Sequence, residues 1–303
     1  MSLDIASHPH TMRTNELVPS RYALRVGDID VLVISDGVFP LAATTLATNA
    51  DGAELAAWLD NRMQPRDVYK WPLNVVVVRS GGRTVLIDSG AGSEFPDFPG
   101  VGQLATRLDA AGIDPASVTD VVLTHLHVDH VGGLLADGLR RRLRLDVPIH
   151  LSAAEAEFWT SPDFSRNTFG GFPNVLRSAE ERFVDAYRSQ LRPFEKNYEV
   201  APGVVVSRTG GHTLGHSVVR LASGGNRLTF LGDAVFPNHF DRPDWHNGFD
   251  HDPEEAVRVR VALLRELAET GELLMAAHLP FPSVGRVAVA GNVFRFVPSD
   301  WEY

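Results

Sequence analysis

The apolar positions of this chain fall into short runs broken by Gly, Pro and Asp. Their spacing switches between the two-residue period of strands and the 3.6-residue period of helices. β-type runs open the chain at Tyr22–Val26, Ile29–Ser35, Asn74–Arg79 and Thr84–Asp88, with Gly81 and Gly82 as a hairpin turn between the last two. Gln103–Ala111 reads as a helix stopped by Gly112, and Asp120–Thr124 and Ile149–Ser152 as buried strands. Ser152 followed by Glu155 has the spacing of a capping box. Residues 161–173, rich in Pro, Gly and Phe, read as a loop, and Asn174–Gln190 has helical spacing. β-type runs return at Val204–Thr209, Ser217–Ala222 and Leu228–Leu231. Pro253 opens a helix that ends at Gly271, and Leu273–Ala277, Val284–Ala290 and Val293–Val297 close the chain as strands.

Strands followed by helices thus occur twice in the same order. This predicts an α/β fold of two halves, about 21–200 and 201–303, whose sheets face each other with helices outside. The expected architecture is a single domain, residues 21–303, folded as a four-layer αββα sandwich behind an N-terminal arm, residues 1–20.

Composition narrows the function. The 303 residues are 44% hydrophobic, enough for a substantial core, and contain no cysteine. Disulfides, thiolate nucleophiles, iron–sulfur clusters and sulfur-ligated zinc are therefore excluded. A net charge of −10 argues against nucleic-acid or anionic-membrane surfaces. The basic run Arg140–Arg144 reads as a solvated helix face. No apolar run approaches the roughly 18–20 residues of a membrane helix. The N-terminus lacks the pattern of a secretory signal, so a cytoplasmic protein is expected. A homodimer is expected from the prevalence of two-fold assemblies.

Residues 124–133 read Thr-His-Leu-His-Val-Asp-His-Val-Gly-Gly, placing His125, His127, Asp129 and His130 where a buried strand empties into a loop. His125 and His127 alternate, so in extended geometry they point the same way. Gly132 and Gly133 allow a turn and a close helix start. Imidazole nitrogen and carboxylate oxygen suit zinc, and also iron, manganese or cobalt. His212, Asp233 and His278 each follow a predicted strand in the same manner, a placement expected to make them converge on the cluster.

The motif His125-x-His127-x-Asp129-His130, followed in order by His212, Asp233 and His278, resembles the metallo-β-lactamase superfamily over about residues 28–297. The resemblance implies that His125, His127 and His212 hold one metal and Asp129, His130 and His278 a second, with Asp233 bridging. It also implies a supporting role for Asp88, and Asp36 could act similarly toward a ligand imidazole or nearby backbone. His216 is expected to pack or hydrogen-bond; His150, His239, His246 and His251 are left unassigned, the last three flanking an aromatic loop where they could line the pocket, with exposure as their default. Two divalent ions, zinc favoured, would share a water and lower its pKa, and the resulting hydroxide would attack a carbonyl or phosphoryl centre. Asp129 would serve as general base.

Within the superfamily, Ala276–Gly285, Phe294–Pro298 and Leu231–Pro237 resemble methyl parathion hydrolases and related acyl-homoserine lactonases. The resemblance implies a small, neutral, partly apolar substrate. Trp71, Phe95, Phe98, Trp159, Phe164, Phe169 and Phe172 are candidate pocket residues, with the segment 163–173 as a cap. Lactone or ester hydrolysis of the acyl-homoserine lactone type is favoured over organophosphate triester hydrolysis, glyoxalase II-like thioesterase activity and non-catalytic metal binding. Tyrosine, a useful proton donor to a lactone alkoxide, is absent between His212 and His278, leaving Tyr69, Tyr187 and Tyr198 as interior candidates.

Overall fold

Two seven-stranded mixed sheets stacked face to face organise the protein in the computed structural model, which describes residues 18–162 and 173–301. The first sheet runs β1 (Arg21–Val26), β2 (Ile29–Ala42), β3 (Val68–Ser80), β4 (Arg83–Ile87), β5 (Asp120–Val122), β6 (Ile149–Ser152) and β7 (Leu191–Phe194), neighbours in that order. Pairing is antiparallel from β1 to β4 and parallel from β4 to β7. The second contains β8 (Asn197–Ala201), β9 (Val204–Arg208), β10 (Ser217–Ser223), β11 (Asn226–Phe230), β12 (Leu273–Met275), β13 (Gly285–Ala290) and β14 (Val293–Pro298), in reverse spatial order. Only β11 and β12 pair in parallel there.

The four-layer sandwich follows from the side-chain period. Along β3, Val76 and Val78 join the core between the sheets, while Val75 and Val77 face the outer helices. The inter-sheet core joins these to Val85, Ile87 and Val122 of the first sheet and to Val204, Val206, Val219, Leu221 and Phe230 of the second. Each such fully buried side chain contributes about 1.5–3 kcal/mol. Among the described residues, seven α-helices accompany the sheets: α1 (Gly52–Asn61), α2 (Leu104–Ala110), α3 (Val128–Leu135), α4 (Asp137–Arg140), α5 (Ala153–Phe158), α6 (Pro173–Tyr187) and α7 (Pro253–Thr270). Leu104, Leu108, Val131, Leu134 and Phe183 from the helices cover the first sheet, and Leu263, Leu264 and Leu267 of α7 cover the second.

Several elements differ from the sequence reading. The strand expected to stop at Ser35 continues to Ala42, because a bulge at Asp36 lets the pairing with β3 resume at Gly37. Gly37 has φ +126°, and a Cβ there would meet the Gly100 carbonyl at 1.9 Å. β3 correspondingly begins at Val68 rather than Asn74. Helix α1 was not anticipated, although Asp51 caps it and Leu55, Trp58 and Leu59 bury one face. β8 escaped notice because its first three residues are exposed, which erases the alternation. Gly132 and Gly133 lie inside α3 and form no turn. Their missing side chains let the helix touch the loop after β4, where a Cβ would meet Ala91 O at 2.3 Å and Ser89 O at 1.8 Å.

Ser152 precedes α5 without a side-chain capping bond, and Glu155 turns elsewhere, so the capping box does not form. The basic run is largely exposed and salt-bridged, Arg141 to Asp137 and Arg142 to Asp109. Among the described residues, no helix is long and apolar enough to cross a membrane. Most of the arm assigned to residues 1–20, and Phe164, Phe169 and Phe172, lie outside the described residues.

Candidate metal centre

The site forms at the carboxyl ends of five strands. Asp88 follows β4, His125–His130 follow β5, His212 follows β9, Asp233 follows β11 and His278 follows β12. The facing sheets bring these loops together, and Asn74 of β3 ties the junction by donating from Nδ2 to the carbonyls of Ala277 (2.9 Å) and Leu279 (2.8 Å).

All seven residues predicted as ligands meet here. Ligand atoms of His125, His127 and His212 lie within 4.8 Å of one another, as do those of Asp129, His130 and His278, and those of His125, His130 and Asp233. Asp233 stands between the first two trios. Its Oδ2 is 2.9 Å from His278 Nε2 and 3.5 Å from His212 Nε2, and its Oδ1 is 3.2 Å from His130 Nε2. Asp129 Oδ2 lies 3.4 Å from His278 Nε2, and this side chain is 21% exposed while the others are buried.

The outer ring nitrogens are held from behind. His212 Nδ1 meets Asp250 Oδ1 at 2.9 Å, and Asp250 Oδ2 accepts from the fully buried Arg260 at 3.2 Å and from Asn247 N at 3.0 Å. His130 Nδ1 meets Asp88 Oδ2 at 2.9 Å. Asp88 sits at φ +59° and also accepts from the backbone and hydroxyl of Thr124. His278 Nδ1 donates to the Pro72 carbonyl at 2.8 Å. His127 turns Nδ1 inward, 3.1 Å from His212 Nε2, and sets Nε2 3.2 Å from His251 Nε2. Such partners fix which nitrogen faces a metal.

The donor set fits divalent cations. His125 Nε2, His130 Nε2 and Asp233 Oδ1 are buried, face one another and have no hydrogen-bond partner. Orphaned buried polar atoms cost about 1–3 kcal/mol each, and three together in a native core are rare. A cation coordinated by them removes that penalty, and the N/O set without sulfur suits zinc, iron, manganese or cobalt.

The two trios differ in electrostatics. Burial, then neighbouring rings, holds His125 and His127 well below the ordinary imidazole value, so their lone pairs are free. Burial acts the same way on His130 and His278, but Asp233 and other carboxylates outweigh it and raise both. Burial would raise Asp233, yet His278 and His130 hold it well below the carboxylate range.

Asp36 and His216 act from outside the ligand set. Asp36 touches no ligand; it accepts from Ala91 N (2.8 Å) and Leu104 N (2.7 Å), tying the loop after β4 to α2, and burial raises its pKa to about 7. His216 hydrogen-bonds, accepting the backbone N–H of Asp233 at Nε2 (3.0 Å). The default of exposure fails for His239 and His251, both buried, while His246 is half-buried; the unassigned His150 is buried too. His150 pairs with Asp120 Oδ1 at 3.0 Å, at the end of β5 away from the centre.

A cavity opens onto the centre, lined by Phe39, Leu41, Trp71, Leu73, His127, Val128, Asp129, Asp233, Phe249 and His278. Of the predicted pocket residues, Trp71 lines it directly. Phe95 and Phe98 stand behind, with ring centres 4.4 and 4.9 Å from that of Phe39. Trp159 is core instead, donating from Nε1 to Glu155. Phe39 and Leu41 were missed because they lie beyond the bulge, on strand that the sequence reading ended too early. Asp250 was missed for want of periodicity in its loop. Arg260 did leave a signal, as a charged residue on the apolar stripe of Ala256, Leu263, Leu264 and Leu267. No tyrosine lines the cavity among the described residues; Tyr187 donates to the Leu134 carbonyl.

Known proteins share this fold. AidC, a dizinc quorum-quenching lactonase, superposes with a TM-score of 0.85 at 24% identity, covering 94% of this chain and 99% of its own. The hydrolase AbOPH of the beta-lactamase superfamily superposes at 0.84 with 28% identity and the same coverage. By sequence, an uncharacterised protein of Mycobacterium tuberculosis is 24% identical over 232 residues, 74% of this chain and 90% of its own length. An N-acyl homoserine lactonase of a Bacillus species is 24% identical over 163 residues, 52% of this chain and 56% of its length. The family model of the metallo-beta-lactamase superfamily matches residues 68–278, the span that carries β3 to β12 and every residue of the histidine–aspartate cluster. The chain belongs to the metallo-β-lactamase superfamily.

Proposed function

We propose that this protein is a two-metal hydrolase of small, neutral, partly apolar lactones or esters, with acyl-homoserine lactones as the favoured class. The observation that carries the reading is the cavity itself: an aromatic and aliphatic wall of Phe39, Leu41, Trp71, Leu73 and Phe249 set directly over Asp129, Asp233 and His278. An apolar enclosure with a few convergent polar groups is the usual form of a small-molecule site. The lactonases among its structural and sequence relatives support the same class.

His125, His127 and His212 would hold one ion and Asp129, His130 and His278 the other, with Asp233 shared. When bound, two divalent ions, zinc favoured, supply an activated water and polarise the oxygen that gains charge. The chain's own work is positioning and proton handling. Asp129, the one partly exposed ligand, faces the cavity and takes the proton of the attacking water at its carboxylate. Asp250, Asp88 and the Pro72 carbonyl keep the ligand rings from turning. The apolar wall orients the substrate and excludes bulk water.

A second reading is organophosphate triester hydrolysis. It is favoured by the absence of a tyrosine lining the cavity among the described residues, since an aryl phosphotriester has a leaving group that needs no proton donor. Specificity constants for an acyl-homoserine lactone, a chromogenic ester and an aryl phosphotriester, measured side by side on zinc-loaded protein, decide the matter. The lactone or ester is expected to lead. A triester preference of several orders would reverse the ranking, and two bound metals with no turnover of any of the three would end the hydrolase reading.

A further inference from the structure

Glu155 is a fully buried carboxyl group that none of the steps above uses. It lies on α5, outside the ligand loops, yet its two oxygens reach both of them. Oε1 accepts the backbone N–H of Leu126 at 3.0 Å, the residue between His125 and His127. Oε2 accepts the hydroxyl of Thr213 at 2.6 Å, the residue after His212, and the backbone N–H of Gly215 at 3.0 Å. The Trp159 indole fills the remaining place on Oε1 at 3.0 Å. Four donors converge on one side chain, and two of the three chain segments involved carry the ligands of a single trio.

The surrounding sequence is shaped for this contact. A Cβ on Gly215 would lie 2.2 Å from the Glu155 backbone nitrogen and 2.5 Å from its Cβ, so only glycine admits the approach. Backbone amides normally find partners within their own strand or helix. Here Leu126 N and Gly215 N belong to loops of opposite halves of the molecule and are held by the two oxygens of one carboxylate. The spacing of His212 from His125 and His127 therefore depends on a group that touches none of the three rings.

We propose that Glu155 is a positioning residue for the His125–His127–His212 trio, a carboxylate staple that sets the distance between the two ligand loops and so the affinity and geometry of that half of the metal centre. The inference rests on the metal-centre reading given above and adds to it a control point outside the ligand set.

The test is a cobalt(II) titration of metal-free protein, followed by its visible absorption bands and by competition with a chelator. Glutamine at position 155 keeps the volume but offers a single acceptor oxygen, so the donors on one side of the carboxylate lose their partner. Glu155→Gln is expected to weaken one of the two cobalt equivalents by about 10–100-fold and to shift its bands, while the other equivalent keeps parent affinity. Thr213→Val removes one of the four donors at constant shape and should weaken the same equivalent by about 2–10-fold. Tyr187→Phe, which loses a buried hydrogen bond far from the staple, controls for general destabilisation and should leave both equivalents unchanged. Parent affinity and parent bands for both equivalents in Glu155→Gln, even with a lowered melting temperature, would overturn the proposal. If that variant does not fold, unchanged binding in Thr213→Val overturns it equally. A parent protein that takes up no cobalt would instead overturn the metal-centre reading itself.

Discussion

The trio of His125, His127 and His212 and the trio of Asp129, His130 and His278 lie within one cluster and are built in different ways. The first is all imidazole, wholly buried, and braced by carboxylates that accept from its rings or its loops. The second contains a carboxylate open to the cavity, and its two rings are held by Asp88 and by a backbone carbonyl. The first borders the cavity through His127 alone. The second borders it through both Asp129 and His278, and Asp129 is partly exposed there. The difference teaches that a near-symmetric ligand count can hide unequal exposure of the two trios.

The largest expected effect comes from removing what the trios share. Asp233→Asn deletes the charge between them and should lower bound metal, measured by atomic emission, together with activity, by about 10³-fold or more in kcat/KM. Unchanged metal content would show that Asp233 bridges nothing. The next pair separates the trios. Asp250→Asn should weaken one metal equivalent and Asp88→Asn the other, each by about 10–100-fold in competition titrations. If both variants perturb the same equivalent, the division does not hold.

A smaller effect should follow from Phe249→Ala, which trims the cavity wall. KM for an apolar lactone should rise about 10-fold with metal content intact, in line with the roughly 1–3 kcal/mol lost on truncating a contact side chain. The smallest effect on the centre should come from Asp36, which serves neither trio. Its pKa is raised from 3.8 to about 7 in the folded protein. Between those values the folded state keeps a proton that the unfolded chain releases, so stability declines as pH rises from about 4 to about 7 and levels off above. Asp36→Asn should flatten that part of the melting-temperature profile while both metal equivalents bind as in the parent.

Much of this was legible in the chain, for identifiable reasons. Runs such as Val75–Val78 carry the strand period that separates inner from outer faces, and Pro253 to Gly271 carries both the start and the stop signal of a helix. His125, His127, Asp129 and His130 are adjacent in sequence, so local chain geometry alone makes them neighbours. His212, Asp233 and His278 could be inferred because each follows a strand, and strand ends of facing sheets converge. The cavity wall was legible only in part. Trp71 stood on a predicted wall, whereas Phe39 and Leu41 depended on a bulge that no side-chain pattern announces.

What the sequence determined by itself was the layer order and the ligand chemistry, since both rest on short-range periodicity and on residue type. The tertiary structure decided everything that required two distant segments to meet. It made Glu155 a staple rather than a helix cap. It paired Asp250 with His212, 38 positions apart in sequence, and it turned Asp36 away from the histidine cluster toward a loop. A buried carboxylate takes whichever donors the packed chain brings within 3 Å, and that choice is a property of the fold and not of the residues on either side.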